Sequence, residues 1–237
     1  MIRGRGSPHL PSATYHAMRH FDQQLDDLRK RLLEMSGLVE SAIYRSILAL
    51  TEKDEQQAVQ ALQNESRINQ MEIEIDDLAT GLLALEQPVA TDLRFITAAI
   101  KINNDLERMG DHAVNIAERA LSLIHEPLVK PLIDIPHMAN LVESMVRKAL
   151  DAFVKRDGDL AREILVSDDA VDHMRDSVYS ELVAYMEKDP SIIRQCLDLI
   201  FVARNLERIA YHATNIAEDV VFLVDGIDVR HHAEAHK

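Results

Sequence analysis

The apolar residues in the first half of the chain recur every three or four positions, which is the spacing of an amphipathic helix. One such run covers residues 15–50, and a second follows the polar segment 51–55 and stops at Gln87-Pro88. A third run starts after this proline, with Thr91 or Asp92 as its expected N-cap. The pattern therefore predicts three long helices in the first half.

The second half repeats this plan, with helices predicted at 137–155, 159–188 and 191–224. Few glycines and prolines and a Leu-, Ile- and Ala-rich composition favour helix packing over sheet. We predict an all-α fold of two tandem three-helix bundles related by a pseudo-twofold internal repeat. The expected divisions are a disordered N-terminal tail at 1–14, bundles at 15–126 and 137–225, a proline-rich linker at 127–136 and a C-terminal tail at 226–237.

The internal repeat is clearest in the third helix of each half. The segment LERMGDHAVNIAE at 106–118 aligns without a gap with LERIAYHATNIAE at 206–218, and nine of the thirteen positions are identical. A repeat within one chain indicates two copies of a single structural unit. His112 and His212 recur in it, and we interpret them as surface or hydrogen-bonded residues rather than as metal ligands.

Pairs of acidic residues also recur in the two copies. Three pairs have a spacing of four residues, which puts both members on one helix face: Glu72 with Asp76, Glu107 with Asp111, and Asp172 with Asp176. Like charges at this spacing disfavour a helix, and a cation would compensate them. Oxygen ligands suit Mg²⁺, Mn²⁺ or Ca²⁺, and also iron where carboxylates bridge ions. The alternative is a set of solvated faces balanced by neighbouring arginines.

Charge and hydropathy narrow the function classes. The formal net charge of −14 argues against sequence-independent binding to nucleic-acid phosphates. No stretch approaches the length of a membrane span, and the N-terminus lacks the apolar segment of a secretory signal. We therefore expect a soluble, cytoplasmic protein. The single cysteine, Cys196, excludes an internal disulfide.

Taken together, these motifs resemble the PhoU family of bacterial phosphate-transport regulators. The matching segments are the two LER segments, DLR at 92–94, INQMEIEID at 68–76, VDHMRD at 171–176 and DVRH at 228–231. The resemblance implies two three-helix bundles, each with acidic motifs that bind metal ions in clusters. It leaves the metal open among Mg, Mn, Fe, Zn and Ca.

Carried over by position, the resemblance gives the first bundle a complete ligand set of Glu72, Asp76, Glu107 and Asp111. The second bundle supplies Asp172, Asp176 and Glu207, but Tyr211 stands where the motif has aspartate. A neutral phenol is a poor ligand for a hard divalent ion. We therefore predict a weaker second site.

The function implied by the resemblance is regulatory and not enzymatic. The chain would act as a negative regulator of the phosphate-specific ABC transporter and of the phosphate-starvation response. Its implied partners are the transporter's ATPase subunit and a membrane sensor histidine kinase, with membrane association only through them, and a homodimer is a further expectation. Two alternatives stay open: a metal-free helical scaffold that docks basic partners and, more remotely, a carboxylate-metal enzyme.

Overall fold

The computed structural model describes residues 12–229, with side chains from residue 20 onward. This part of the chain forms six α-helices and no strand, which confirms the predicted all-α class. The helices are α1 (Ser12–Glu52), α2 (Glu55–Glu86), α3 (Ala90–Leu123), α4 (Asp134–Lys155), α5 (Gly158–Lys188) and α6 (Ile193–Asp225), with a 3₁₀ turn at Pro190–Ile192 before α6.

Several helix ends differ from the sequence pattern. Helix α1 begins at Ser12, inside the expected tail, and α4 begins at Asp134, inside the expected linker. The expected N-cap of α3 is wrong, because the helix begins at Ala90 with Val89 as N-cap and without a side-chain cap. Val89 is extended, with φ −120° and ψ 151°, and the first turn of the helix forms directly after it. The outer parts of both expected tails, 1–11 and 230–237, lie outside the described residues.

Aspartates define the first turn in each copy. The side chain of Asp54 accepts hydrogen bonds from the backbone N–H groups of Gln56 and Gln57, and that of Asp157 accepts one from Leu160. These bonds satisfy donors that the start of a helix leaves unpaired. These capping bonds fix the residue at which α2 and α5 begin. They therefore also fix the position of the acidic residues along each helix axis.

Helices α3 and α6 lie at the centre of the molecule. Helix α3 packs against α1 and α2, α6 packs against α4 and α5, and the two central helices pack against each other. Buried alanines on both, such as Ala113 and Ala213, allow the backbones to approach closely. A stacked ring pair, Phe95 of α3 on Phe153 of α4 at 5.3 Å, adds an aromatic contact between the bundles.

The segment that connects the two bundles is bound to the second bundle by ion pairs. Lys130 is buried, with only 3% of its side chain exposed, and its ammonium group pairs with Asp134 at 2.6 Å and with Glu181 of α5. Burial lowers the pKa of Lys130, but the hydrogen bonds that its ammonium group donates to Asp134 and Glu181 outweigh this effect, and the net shift of the pKa is upward. The proline-rich segment is therefore held against α5 by a charged contact.

The described helices contain no continuous apolar stretch of the length that crossing a bilayer requires.

Candidate functional site

The four acids predicted in the first bundle lie on the neighbouring helices α2 and α3, and we call them the first acidic face: Glu72, Asp76, Glu107 and Asp111. Buried Asn103 of α3 sets the register between these helices, because its Nδ2 donates to the backbone oxygen of Glu72 at 2.9 Å. The first acid of the α2 pair is thereby held at a fixed height against α3.

Two of these acids raise the pKa of a third. Burial raises the pKa of Glu107, and the negative charges of Asp111 and Glu72 raise it further, while Arg108 opposes the shift. Asp76 is exposed one helical turn beyond Glu72. The face therefore concentrates negative charge around a half-buried glutamate.

The positive charge next to the first acidic face is weakly held. Arg108 Nε lies 3.4 Å from Glu107 Oε2 and its Nη1 lies 3.8 Å from Asp111 Oδ2, and 56% of the arginine side chain is exposed. Exposed pairs of this kind contribute little to stability. Within residues 20–229, no three acidic, histidine or cysteine side chains converge in a metal-binding arrangement. The donors are nevertheless partly exposed carboxylates, which is the chemistry that a hard cation requires.

The corresponding acids of the second bundle surround an arginine; we call Asp172, Asp176 and Glu207 the second acidic face. Arg175 Nη1 lies 3.0 Å from Asp172 Oδ1, its Nη2 lies 2.8 Å from Asp176 Oδ1, and its Nη1 lies 3.9 Å from Glu207 Oε1. The guanidinium thus bridges acids from α5 and α6. The second face therefore carries its own cation, as the alternative of acidic faces balanced by neighbouring arginines expects.

Asp168 is a further acid that the sequence interpretation missed. Burial raises the pKa of Asp168, the charges of Asp172 and Glu207 raise it further, and Arg175 opposes the shift. Asp168 therefore lies within electrostatic range of the second face. The signal that would have found it is the repeat itself, because the same position in the first copy is the apolar Ile68.

The copies also differ in how α2 and α5 pack on the central helices. A methyl group on Gly110 would come within 3.1 Å of the Ile68 side chain, which leaves little room for a larger residue. In the second copy Ala210 replaces the glycine and Asp168 replaces the isoleucine. Glycine is thus matched with the bulkier neighbour in the first copy, and alanine with the smaller one in the second.

The recurring histidines lie at the contact between the bundles. The His112 and His212 rings are 5.6 Å apart. His212 Nδ1 donates to Asp105 Oδ1 at 2.8 Å, and His112 Nδ1 donates to Asn205 Oδ1 at 2.9 Å. Burial lowers the pKa of His112. Their interpretation as hydrogen-bonded residues is confirmed.

These contacts reveal the internal symmetry. Asp105 and Asn205 occupy the same position in the two copies, so the two histidine bonds are related by the pseudo-twofold axis. A second related pair flanks them: Lys101 lies 2.6 Å from Asp219, and Arg119 lies over the Phe201 ring at 5.4 Å. In both pairs a position that carries charge in one copy is neutral in the other.

The fold and these faces define a class of protein: a duplicated helical bundle with an acidic surface on each copy. The PhoU domain family matches residues 32–120 and 135–220, once for each copy. The chain belongs to the PhoU family.

Relatives and solved structures agree with this assignment. The chain is 42% identical over 221 residues to the phosphate-specific transport system accessory protein PhoU homolog of Pseudomonas aeruginosa, covering 93% of this chain and 91% of the relative. It is 38% identical to the homolog of the same name from Clostridium acetobutylicum over 88% of this chain and 96% of that relative.

Two crystal structures share the fold. PhoU from Pseudomonas aeruginosa superimposes with a TM-score of 0.85 at 41% identity, covering 87% of this chain and 100% of that one. The phosphate transport system regulatory protein PhoU from Streptococcus pneumoniae gives 0.82 at 31% identity, covering 88% and 99%. The expected family and the two-bundle architecture are confirmed, whereas the metal ligands stay predictions.

Proposed function

We propose that this chain is a non-enzymatic accessory protein of phosphate uptake that acts in the cytoplasm as a negative regulator. It restrains the phosphate-specific ABC transporter and the phosphate-starvation response when phosphate is plentiful. Its partners are the transporter's ATPase subunit and a membrane sensor histidine kinase, and it reaches the membrane only through them. The observation that carries the proposal is the match over 93% of the chain to a phosphate-specific transport system accessory protein.

Deletion in the native host tests the regulatory role. In phosphate-rich medium, loss of the gene should raise expression of phosphate-starvation genes, and a plasmid copy should restore repression. Unchanged expression in the deletion strain would count against negative regulation.

The same proposal includes a metal at the first acidic face. Glu72, Asp76, Glu107 and Asp111 would hold one or more divalent or iron-type ions, which would compensate the like charges around Glu107. The upward shift in the pKa of Glu107, caused by burial and by the charges of Asp111 and Glu72, supports a place where a cation is favoured.

Elemental analysis of chelator-free protein tests this metal site. The Glu107→Gln, Asp111→Asn variant keeps the side-chain shapes and removes two charges, so it should lose metal that the wild-type chain retains. Glu52→Gln with Asp22→Asn makes the same charge change at exposed positions of α1 and should retain the metal. Equal, negligible metal in all three proteins would remove the metal from the proposal.

A pull-down from the native host tests the partners. Tagged protein should recover the transporter ATPase and the sensor kinase, and recovery should differ between high and low phosphate. Recovery of neither protein under both conditions would overturn this part of the proposal. Size measurement of the purified chain decides the expected homodimer.

A second candidate is a metal-free scaffold whose acidic faces dock basic partners. The ion pairs of Arg108 with Glu107 and Asp111 favour it, because they show that the face accepts a guanidinium. Under this alternative the Glu107→Gln, Asp111→Asn variant loses partner binding although the wild-type chain carries no metal. The elemental analysis and the pull-down together distinguish the two candidates.

A further inference from the structure

The second acidic face already contains a positive charge at the centre of its carboxylates. Arg175 donates from Nη1 to Asp172 and from both Nε and Nη2 to Asp176 Oδ1, at 3.0, 3.0 and 2.8 Å. Its Nη1 also lies 3.9 Å from Glu207 of α6. One guanidinium therefore contacts every acid of the second face. A metal ion shared by these acids would need the same oxygen atoms.

Comparison of the two copies isolates what Arg175 adds. Arg108 and Arg208 occupy equivalent positions, and each lies next to the glutamate that precedes it, at 3.4 and 3.6 Å. These arginines are common to both faces and cannot explain a difference between them. Arg175 has no counterpart, because the first copy has the fully buried Ile75 at that position.

The gain of Arg175 coincides with the loss of an acid on the same face. Tyr211 stands where the first copy has Asp111, so the second face has gained a cation and lost a carboxylate. Both changes shift its charge in the positive direction. An arginine stays protonated at any physiological pH, so it does not vacate the site by losing its charge.

We propose that Arg175 replaces the metal ion in the second bundle, so that only the first face responds to metal. This inference rests on the proposed function only for the statement that the first face binds metal. The second site, which is expected from the sequence to bind metal more weakly, is instead a face with a permanent internal cation. A divalent ion would bind there only after displacing the guanidinium from Asp172 and Asp176, and the displaced positive charge would stay on the same helix.

The test measures Mn²⁺ binding by equilibrium dialysis and elemental analysis, with Mn²⁺ as the probe. The Glu107→Gln, Asp111→Asn background silences the first face, so that binding reports on the second. In this background we expect no Mn²⁺ binding at the second face. Adding Asp172→Asn should therefore leave the amount of bound Mn²⁺ unchanged. Adding Arg175→Ile with Tyr211→Asp, which copies the first-face pattern, should create Mn²⁺ binding. Tyr211→Asp alone should not create it, because Arg175 still occupies the acids.

Three results would overturn the inference. The first is Mn²⁺ binding by the background chain that Asp172→Asn abolishes. The second is equal Mn²⁺ binding by the Tyr211→Asp chain and the Arg175→Ile, Tyr211→Asp chain. The third is no Mn²⁺ binding by the Arg175→Ile, Tyr211→Asp chain although its circular dichroism shows a folded protein. None of them depends on whether the wild-type first face binds metal. Failure of the proposed function is instead seen as no difference in metal between wild type and background.

A stability measurement provides an independent readout. In chelator, Arg175→Met should lower the melting temperature by about 2–4 °C, the shift that corresponds to ~1 kcal/mol in a chain of this size. Arg208→Met is the control: it also removes an arginine beside Glu207, at 3.6 Å, but this arginine contacts one acid, together with the Tyr211 ring at 5.9 Å, and is not shared among three acids. It should lower the melting temperature less. An equal or smaller loss for Arg175→Met would overturn the inference.

Discussion

The hydrogen bond between Asp105 and His212 gives the sharpest test of how the bundles are joined. Asp105 is 13% exposed and accepts from His212 Nδ1 at 2.8 Å and from Asn215 Nδ2 at 3.3 Å. Asp105→Ala removes the acceptor and leaves both donors on α6 without a partner. An unpaired buried donor costs about 1–3 kcal/mol.

This cost converts into a measurable shift. At about 2–4 °C per kcal/mol for a chain of this size, Asp105→Ala should lower the melting temperature by roughly 2–12 °C. Asp105→Asn keeps an oxygen acceptor and should cost about 1 kcal/mol or less. The assay is thermal unfolding followed by circular dichroism in chelator, so that metal binding does not contribute.

Two controls decide whether the loss arises from this contact. Asn104→Ala changes the adjacent exposed residue and should have little effect. His212→Phe removes the donor, so Asp105→Ala should cost less in that background than in the wild-type chain. The reasoning is refuted if Asp105→Ala destabilises no more than Asn104→Ala, or if its cost is the same with and without His212.

Four further predictions concern single substitutions, all measured by the same thermal unfolding. Gly37→Ala should stabilise the chain by ~0.5–1 kcal/mol, because the added methyl meets no atom within 4 Å inside a helix. Gly110→Ala should gain less, since Ile68 lies 3.1 Å away, and equal gains would contradict the packing argument. Gly226→Ala should cost about 1–2 kcal/mol because φ is +71°; no loss would contradict the left-handed cap. Burial raises the pKa of Glu143, so the wild-type chain should lose stability relative to Glu143→Gln as pH rises through that pKa; a pH-independent difference would refute this.

The sequence predicts the helices well because their signal is local. Apolar spacing, prolines and the aspartates before α2 and α5 act within a turn or two of the residues they organise. The error at α3 has the same origin: Thr91 and Asp92 have the side chains of an N-cap, but the extended Val89 after Pro88 starts the helix earlier.

The candidate site is less predictable because it depends on contacts between helices. The repeat shows that Ile75 of the first copy corresponds to Arg175 of the second. It does not show that the guanidinium of Arg175 reaches acids on both α5 and α6. Asp105 is harder still. An aspartate in an acidic chain is expected at the surface, and its burial depends on a histidine that lies 107 positions away in the sequence.

The pseudo-twofold axis between α3 and α6 has a consequence for recognition. With equivalent halves, a protein that docks across this axis would fit equally well after a half turn. Here the axis relates exposed Lys101 to exposed Phe201, so a half turn exchanges a charged group for an apolar one. The surface around the pseudo-twofold axis is therefore not symmetric. A single partner bound across this axis has one preferred orientation instead of two.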